Sequence, residues 1–414
     1  MKAKKIISLL VATSLSVMAF TGCSFKGSEN KTESNTDTIK LGFINDISGE
    51  YALTGPRYAA ELAVSEINAA GGILGKQVEL IAVDGQSDTQ RDQEMAKQLV
   101  LEENVSAVIL EGNSAAREAV RSIFEDNNNL FFYCSMYEGG VASKNTFCTG
   151  CTPEQQLETL IRYYSENSSF GKNIYIVAND YNYGQICAEW VKVYAEQYGM
   201  NICGEEYVPV GTTEFSSSIS KIQSANADIV FTLVSGPSVS FYDQWSTAEL
   251  ENITLCGGTL FAFYEHITYA SPVLDGAYSC MPYCEELGTP ESEEFVTKMK
   301  TAYPEEVYIT SEDLLTYNTV YLWKAAVEAA GTAEPEAVIS ALENNNISIE
   351  GPTGTVTMDG ASHHLAMNMY LLQCDESHTL NIIDTNELVQ PSYLQSLNVD
   401  LRKDAPNEQF SPLN

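Results

Sequence analysis

The strongest constraint on the fold is a regular alternation of short apolar runs with longer amphipathic segments, which begins near residue 39. Residues 39–44 are strand-like, and residues 57–70 follow with Ala60, Val64 and Ile67 at helical spacing. The same order repeats to about residue 384. Strands separated by helices predict right-handed βαβ units and largely parallel sheets. One sheet would need about nine strands, so two lobes with a sheet each suit the 414-residue length better.

The first 22 residues have the organisation of an export signal. Lys2, Lys4 and Lys5 precede an uncharged apolar run at 6–20, which is shorter than the roughly 20 residues of a membrane-spanning helix. The sequence FTGC, ending at Cys23, resembles a bacterial lipobox, in which the cysteine is lipidated. An ordinary signal peptide with an incidental cysteine is the alternative.

Residues 23–37 are polar and predict a flexible tether. No later segment is long and apolar enough to span a bilayer. We therefore expect an exported protein that its N-terminal lipid holds to the cell membrane, on the surface of a Gram-positive-type bacterium.

Acidic residues outnumber basic residues by 56 to 22. Three of the lysines lie in the first five residues, so removal of the signal would leave only 19 basic residues. Nucleic acids and anionic membrane surfaces attract clustered cations. Neither is therefore expected as a charge-based partner.

Ten cysteines in an exported chain suggest disulfides, but nine remain after Cys23, which is an odd number. Cys148 with Cys151, and Cys280 with Cys284, are candidate redox or metal pairs. No histidine lies near either pair, and packed free thiols are the favoured interpretation. We expect no metal and no cofactor.

Motifs of catalytic chemistry are missing, since the chain has no GxSxG, no HExxH and no P-loop sequence. Its four histidines include the pair His363-His364, which we interpret as a polar turn rather than a metal site. Carboxylates are so numerous that no acid/base pair stands out. The prediction is a protein that is not an enzyme, with an exported enzyme as a weaker alternative.

Polar and aromatic side chains gather where predicted strands end. In open α/β sheets, ligands bind beyond the carboxyl ends of the strands. Ser114 and Ser135 offer hydroxyls there, while Tyr181 and Tyr183 offer flat apolar faces with polar tips. Further strand ends lie at 235–238 and 258–261. Together these loops predict one ligand-binding crevice.

At these loops the sequence resembles the exported type I solute-binding proteins of ABC transporters, in the branched-chain amino acid, urea and short-chain amide group. The resemblance covers residues 38–395. The stretches that carry it include DISG at 46–49, EINAAGGILGK at 66–76, YEG at 137–139 and NDYNY at 179–183. YEG together with DYNY is most similar to the urea/amide branch.

The resemblance implies an α/β fold of two doubly wound lobes joined by three crossing strands, which close on a ligand. It assigns lobe one to 38–153 plus 284–350, lobe two to 154–283 plus 351–395, and a C-terminal tail to 396–414. The implied partners are the ABC transporter permease and ATPase subunits. The implied ligand positions are Ser114, Tyr133, Ser135 and Met136 in lobe one, and Tyr181, Tyr183, Gly236 and Thr259 in lobe two.

The expected ligand is urea or a short-chain amide. Amino-acid binders need an acid in lobe two to pair with the ligand's ammonium, but the first carboxylate after Thr259 is Glu265. Gly112, Met136 and Gly184 depart from the pattern of the amide binders. A branched-chain or polar amino acid, with Asp180 as counter-ion, is the alternative ligand, and a ligand-sensing role is the alternative function.

Overall fold

The computed structural model describes residues 38–236, 240–248, 250 and 252–413. The signal, the tether and Cys23 lie outside the described residues. The strands are β1 Ile39–Asn45, β2 Val78–Asp84, β3 Ala107–Glu111, β4 Leu130–Tyr133, β5 Val141–Ala142, β6 Thr146–Cys148, β7 Asn173–Asn179, β8 Asn201–Val208, β9 Ile229–Leu233, β10 Thr254–Gly257, β11 Tyr278–Met281, β12 Ser348–Gly351, β13 Gly354–Asp359, β14 His364–Cys374, β15 Leu380–Val389 and β16 Glu408–Gln409.

Helices follow most of these strands. They are α1 Gly55–Ala69, α2 Thr89–Lys97, α3 Ser114–Asp126, α4 Pro153–Glu166, α5 Asn182–Gln197, α6 Ser216–Ser224, α7 Ser240–Thr247, α8 Glu265–Thr268, α9 Pro290–Ala302, α10 Ser311–Ala330, α11 Pro335–Asn344 and α12 Tyr393–Ser396. A π-helical segment, Gln98–Glu102, continues α2, and a 3₁₀ turn lies at Glu285–Leu287.

Eleven of these strands are joined along one path in the order β2-β1-β3-β4-β6-β14-β11-β10-β9-β7-β8. Strands β12, β13 and β15 attach beside this path, and β5 pairs with β16 in a separate sheet. We call β1–β4 and β6 the first strand group, and β7–β11 the second strand group. Every pairing within each group is parallel. This arrangement confirms the predicted α/β class with largely parallel sheets.

Strand β14 connects the two groups. Its first residue, His364, pairs in parallel with Cys148 of β6, and its residues 370–373 pair antiparallel with β11. The hairpin of β12 and β13 pairs with residues 364–366 of β14. The hairpin therefore extends the first strand group.

Local sequence signals account for several helix starts. Helix α4 begins with a capping box between Thr152 and Gln155 and has Pro153 in its first turn. On α1, the predicted positions Ala60, Val64 and Ile67 are all buried. Helix α3 begins at Ser114, but its cap is the preceding Asn113, whose side chain accepts a hydrogen bond from the Ala116 N–H.

Gly184 explains how α5 starts so close to the end of β7. A Cβ atom at Gly184 would lie 2.1 Å from the Asn179 carbonyl oxygen. Only glycine permits this approach without a backbone shift. The contact positions Tyr181 and Tyr183 in the tight connection between β7 and the first turn of α5.

The nine cysteines of the described residues are all free thiols, and all except Cys203 are buried. No group of three or more possible metal ligands occurs among the described residues. Within the same residues, no helix combines the length and the apolar character needed to cross a membrane.

Candidate functional site

A small, partly open cavity lies beyond the carboxyl ends of strands from both groups. Its volume is about 40 Å³, which leaves room for only a few water-sized groups. Connections that follow β3 and β4 form one side, and connections that follow β7, β9 and β10 form the other. This is the position where ligands bind in open α/β sheets.

The structure brings seven of the eight predicted ligand positions to this cavity. They are Ser114, Tyr133, Ser135, Met136, Tyr181, Tyr183 and Thr259. The eighth, Gly236, does not line the cavity. It has a φ of 121° and lies behind Tyr51, whose ring would be 3.5 Å from a Cβ atom at Gly236. Substitution there would therefore act on the cavity through Tyr51 and through backbone strain.

On the side of the first strand group, hydrogen bonds hold the polar side chains in place. The Tyr133 hydroxyl donates to the Gly112 carbonyl oxygen at 2.8 Å. The Ser135 hydroxyl accepts from the Gly112 N–H at 3.0 Å and donates to Glu111 Oε1 at 3.4 Å. Strand β4 thus supports the loop that follows β3, and both loops face the cavity.

On the side of the second strand group, the walls are mainly aromatic. The rings of Tyr181 and Tyr183 lie 6.1 Å apart. The Tyr181 hydroxyl and the Ser235 hydroxyl are 3.0 Å apart. The Tyr183 hydroxyl is buried, and no described group satisfies it as a hydrogen-bond partner. Phe263 adds a further aromatic face.

A buried ion pair supports the cavity from behind. Arg117 on α3 places its guanidinium 2.6 Å from Glu138 Oε1. Glu138 also accepts hydrogen bonds from Ser114, from Asn182 on α5 at 3.1 Å and from Gln409 at 2.7 Å. Burial by itself would raise the pKa of Glu138, but the charge and hydrogen bonds of Arg117 dominate and lower it. The Glu138 carboxylate is therefore fully satisfied.

Sequence reasoning missed two carboxylates that line the cavity, Glu111 and Glu312. Glu111 is the last residue of β3, one position beyond the predicted strand end, and Glu312 is the second residue of α10. Burial and the neighbouring charge of Glu312 raise the pKa of Glu111, and burial raises the pKa of Glu312. A reading of β3 one residue longer would have identified Glu111.

The carboxylates that the sequence did consider lie elsewhere. Asp180 is exposed and accepts a hydrogen bond from the Gln185 side chain at 2.8 Å. Glu265 is buried at the start of α8, where it accepts from the Phe263 N–H, and burial raises its pKa to about 8. Neither residue lines the cavity. Tyr51, Asn113 and Ala262, which were not among the predicted ligand positions, complete much of the wall.

Solved structures of solute-binding proteins share this fold. The leucine-, isoleucine-, valine-, threonine- and alanine-binding protein of Brucella ovis, in a closed conformation, matches with a TM-score of 0.76 and 19% identity, covering 86% of this chain and 97% of that one. An ABC transporter solute-binding protein of Rhodopseudomonas palustris in complex with benzoate matches with a TM-score of 0.75 and 20% identity, covering 86% and 98%. The fold is that of a type I periplasmic binding protein, as predicted.

The family assignment comes from the sequence. A model of the family described as periplasmic binding protein matches residues 38–379. This protein belongs to that family. A curated relative, the leucine-, isoleucine-, valine-, threonine- and alanine-binding protein of Pseudomonas aeruginosa, is 24% identical over 330 residues, which cover 78% of this chain and 86% of the relative.

Proposed function

We propose that this protein is the extracytoplasmic substrate-binding component of an ABC importer, and that it captures a small nitrogen-containing solute between two lobes. The observation that carries the proposal is the cavity whose walls come from strand ends of both strand groups. The relatives named as amino-acid-binding and solute-binding proteins support the same role. The permease and ATPase subunits of the transporter would be the partners.

The ligand candidates remain urea or a short-chain amide, and an amino acid. The small cavity suits a ligand of few heavy atoms. The N–H groups of an amide, of urea or of an amino acid could all donate hydrogen bonds to the hydroxyl and carboxylate oxygens that face the cavity. A specific observation favours the amino acid, because Glu111 and Glu312 supply acids that lobe two lacks. The amino-acid ligands in the names of several relatives point the same way.

We assign the lobes as the family resemblance implies, with one change. Lobe one comprises 38–153 plus the chain from 284 to the first residues of β14, and lobe two comprises 154–283 plus the rest of β14 and β15. The hairpin of β12 and β13 pairs with the part of β14 that joins the first strand group. This pairing favours a third crossing within β14 rather than at residue 351.

Ligand capture should close the lobes, because the cavity takes its walls from both strand groups, and a solute that contacts both sides favours the arrangement in which they lie together. A thermal-shift panel of urea, acetamide, L-alanine, L-isoleucine and benzoate would first identify a stabilising solute, since a ligand at 100 times its Kd adds about 2.7 kcal/mol. Small-angle scattering with that solute should then show a smaller radius of gyration than without it. A radius unchanged at saturation would argue against a two-lobed trap.

The lipid anchor rests on the FTGC sequence and the polar tether that follows it. Cys23→Ala should move the protein from the membrane fraction to the soluble fraction without changing its thermal unfolding, because only the acylated residue is lost. Fractionation after a high-salt wash is the measurement. Retention of the variant in the membrane fraction would show that something other than Cys23 holds the protein there.

A further inference from the structure

Two buried carboxylates face the cavity from different parts of the chain. Glu111 ends β3, and Glu312 lies in the first turn of α10. Their exposed fractions are 5% and 4%. Both line the cavity, and the charge of Glu312 acts on Glu111. A buried acidic pair thus faces the place where the solute is proposed to bind.

One oxygen of each carboxylate has no partner. Glu111 Oε1 accepts a long hydrogen bond of 3.4 Å from Ser135, and Glu312 Oε1 accepts one of 3.4 Å from the Met136 N–H. No hydrogen-bond partner among the described groups reaches Oε2 of either residue. Buried charged oxygens are costly to leave unsatisfied. Each of the two side chains that line the cavity therefore has one carboxylate oxygen that lacks a hydrogen-bond donor.

No cation of the described residues forms an ion pair with these two carboxylates. Arg57 on α1 comes near, but its Nε donates to Asn45 Oδ1 at 3.3 Å instead. The buried arginine of this region, Arg117, is held by Glu138 and Glu118. The further charges that act on Glu111 are Asp46 and Asp313, and both are acidic. A cation for this pair would have to arrive with the solute.

The remaining walls favour an organic cation over a metal ion. The described residues contain no group of three or more metal ligands. The aromatic rings of Tyr51, Tyr181 and Phe263 line the same cavity. Aromatic faces attract ammonium and guanidinium groups through their quadrupole. The combination of two acids and aromatic faces suits a charged nitrogen group on a small carbon skeleton.

We propose that Glu111 and Glu312 form the subsite that receives a positively charged nitrogen group, an ammonium or an amidinium, of the captured solute. The inference rests on the proposed capture function and narrows its ligand class to small organic cations and zwitterions. Neutral urea and amides become the weaker ligands. The carboxylate pair then selects for charge, while the tyrosines and hydroxyls hold the rest of the molecule.

Three pairs of small molecules test the cation subsite. The two members of each pair are similar in shape, but only the first carries a positively charged nitrogen group. The pairs are guanidinium and urea, acetamidinium and acetamide, and L-alanine and L-lactate. Thermal shift and calorimetric titration of the full chain should show that the charged member binds at least about 10-fold more tightly than the other, since a buried charge needs an opposite charge. Glu312→Gln should abolish this preference. Glu154→Gln is the matched control, because Glu154 is also buried with an unpartnered Oε2 but does not line the cavity.

The wild-type protein supplies a second measurement that needs no variant. Because the pKa of each carboxyl group is raised, binding a cation must displace protons. The affinity for acetamidinium should therefore rise between about pH 6 and about pH 8, whereas the affinity for acetamide should not. The other titratable groups around the pair are Asp46, Asp313, Cys134, Cys151, Tyr51, Tyr133 and Tyr183. Arg57, which donates to Asn45 beside Glu111 in the sheet, keeps its charge throughout this pH range and does not contribute to the change.

The outcomes separate this inference from the proposed function. Binding of the neutral members as tightly as the charged members, or binding of no charged member, would overturn the cation subsite. Solute capture would stand in that case if urea, acetamide or another panel member still stabilised the protein. If no solute of either panel raised the Tm, the proposed function itself would fail.

Discussion

Arg117→Ala is expected to lower the free energy of unfolding by about 3–5 kcal/mol, which is typical when one member of a buried ion pair is removed. The side chains of Arg117 and Glu138 are fully buried, and the guanidinium also lies 4.9 Å from the ring centre of Tyr133. Without Arg117, the Glu138 carboxylate stays buried with only neutral donors. Denaturant unfolding of wild type and variant measures the difference.

Two further variants make this test specific. Arg402→Ala removes an exposed arginine that pairs with Asp400 at 2.7 Å, and it should cost less than about 1 kcal/mol. The double variant Arg117→Met with Glu138→Gln should lose less stability than Arg117→Ala, because no buried charge is left unpaired. If Arg117→Ala lowered the free energy of unfolding by less than about 1 kcal/mol, the buried Glu138 carboxylate would not need Arg117 for its stability.

Tyr183→Ala is expected to weaken solute binding by at least about 10-fold. Loss of a buried hydrogen-bond partner typically costs about 1–3 kcal/mol, or roughly 5- to 150-fold in affinity, and loss of the ring also opens a void. Tyr183 is 3% exposed, lines the cavity and carries a hydroxyl that has no partner among the described groups. Calorimetric titration with the panel solute that most raises the wild-type Tm gives the affinity.

Tyr163→Ala is the control for the loss of a large ring outside the cavity. Tyr163 on α4 packs against Phe170 and Tyr278, with ring centres 5.7 and 5.9 Å away. Its removal should destabilise the fold yet leave affinity nearly unchanged. Tyr183→Phe keeps the ring and separates the contribution of the hydroxyl. Equal affinities for wild type and Tyr183→Ala would place the solute elsewhere.

Much of the site could be predicted because strand periodicity locates strand ends. Ser114 and Ser135 follow β3 and β4, and Tyr181 and Tyr183 follow β7. The carboxyl ends of neighbouring parallel strands meet at one edge of a sheet, so residues distant in sequence meet in space. Gly236 follows β9 in the same way but lies behind Tyr51, because the path of a loop beyond its strand is not contained in the strand pattern.

The sequence by itself determined the α/β class, the largely parallel direction of the strands and the general position of the crevice, because these follow from the alternation of local periodicities. Only the tertiary structure decided the charge of the cavity. Glu111 and Glu312 are two of 56 acidic residues, and although Glu111 stands at a strand end, no local pattern shows that either charge stays unpaired. Packing of α10 near the end of β3 buries both carboxylates with Oε2 of each unsatisfied, whereas α3 gives Glu138 the charge of Arg117. Burial and pairing depend on residues that are distant in sequence. They distinguish a carboxylate that water solvates from a buried carboxylate whose oxygens lack hydrogen-bond donors.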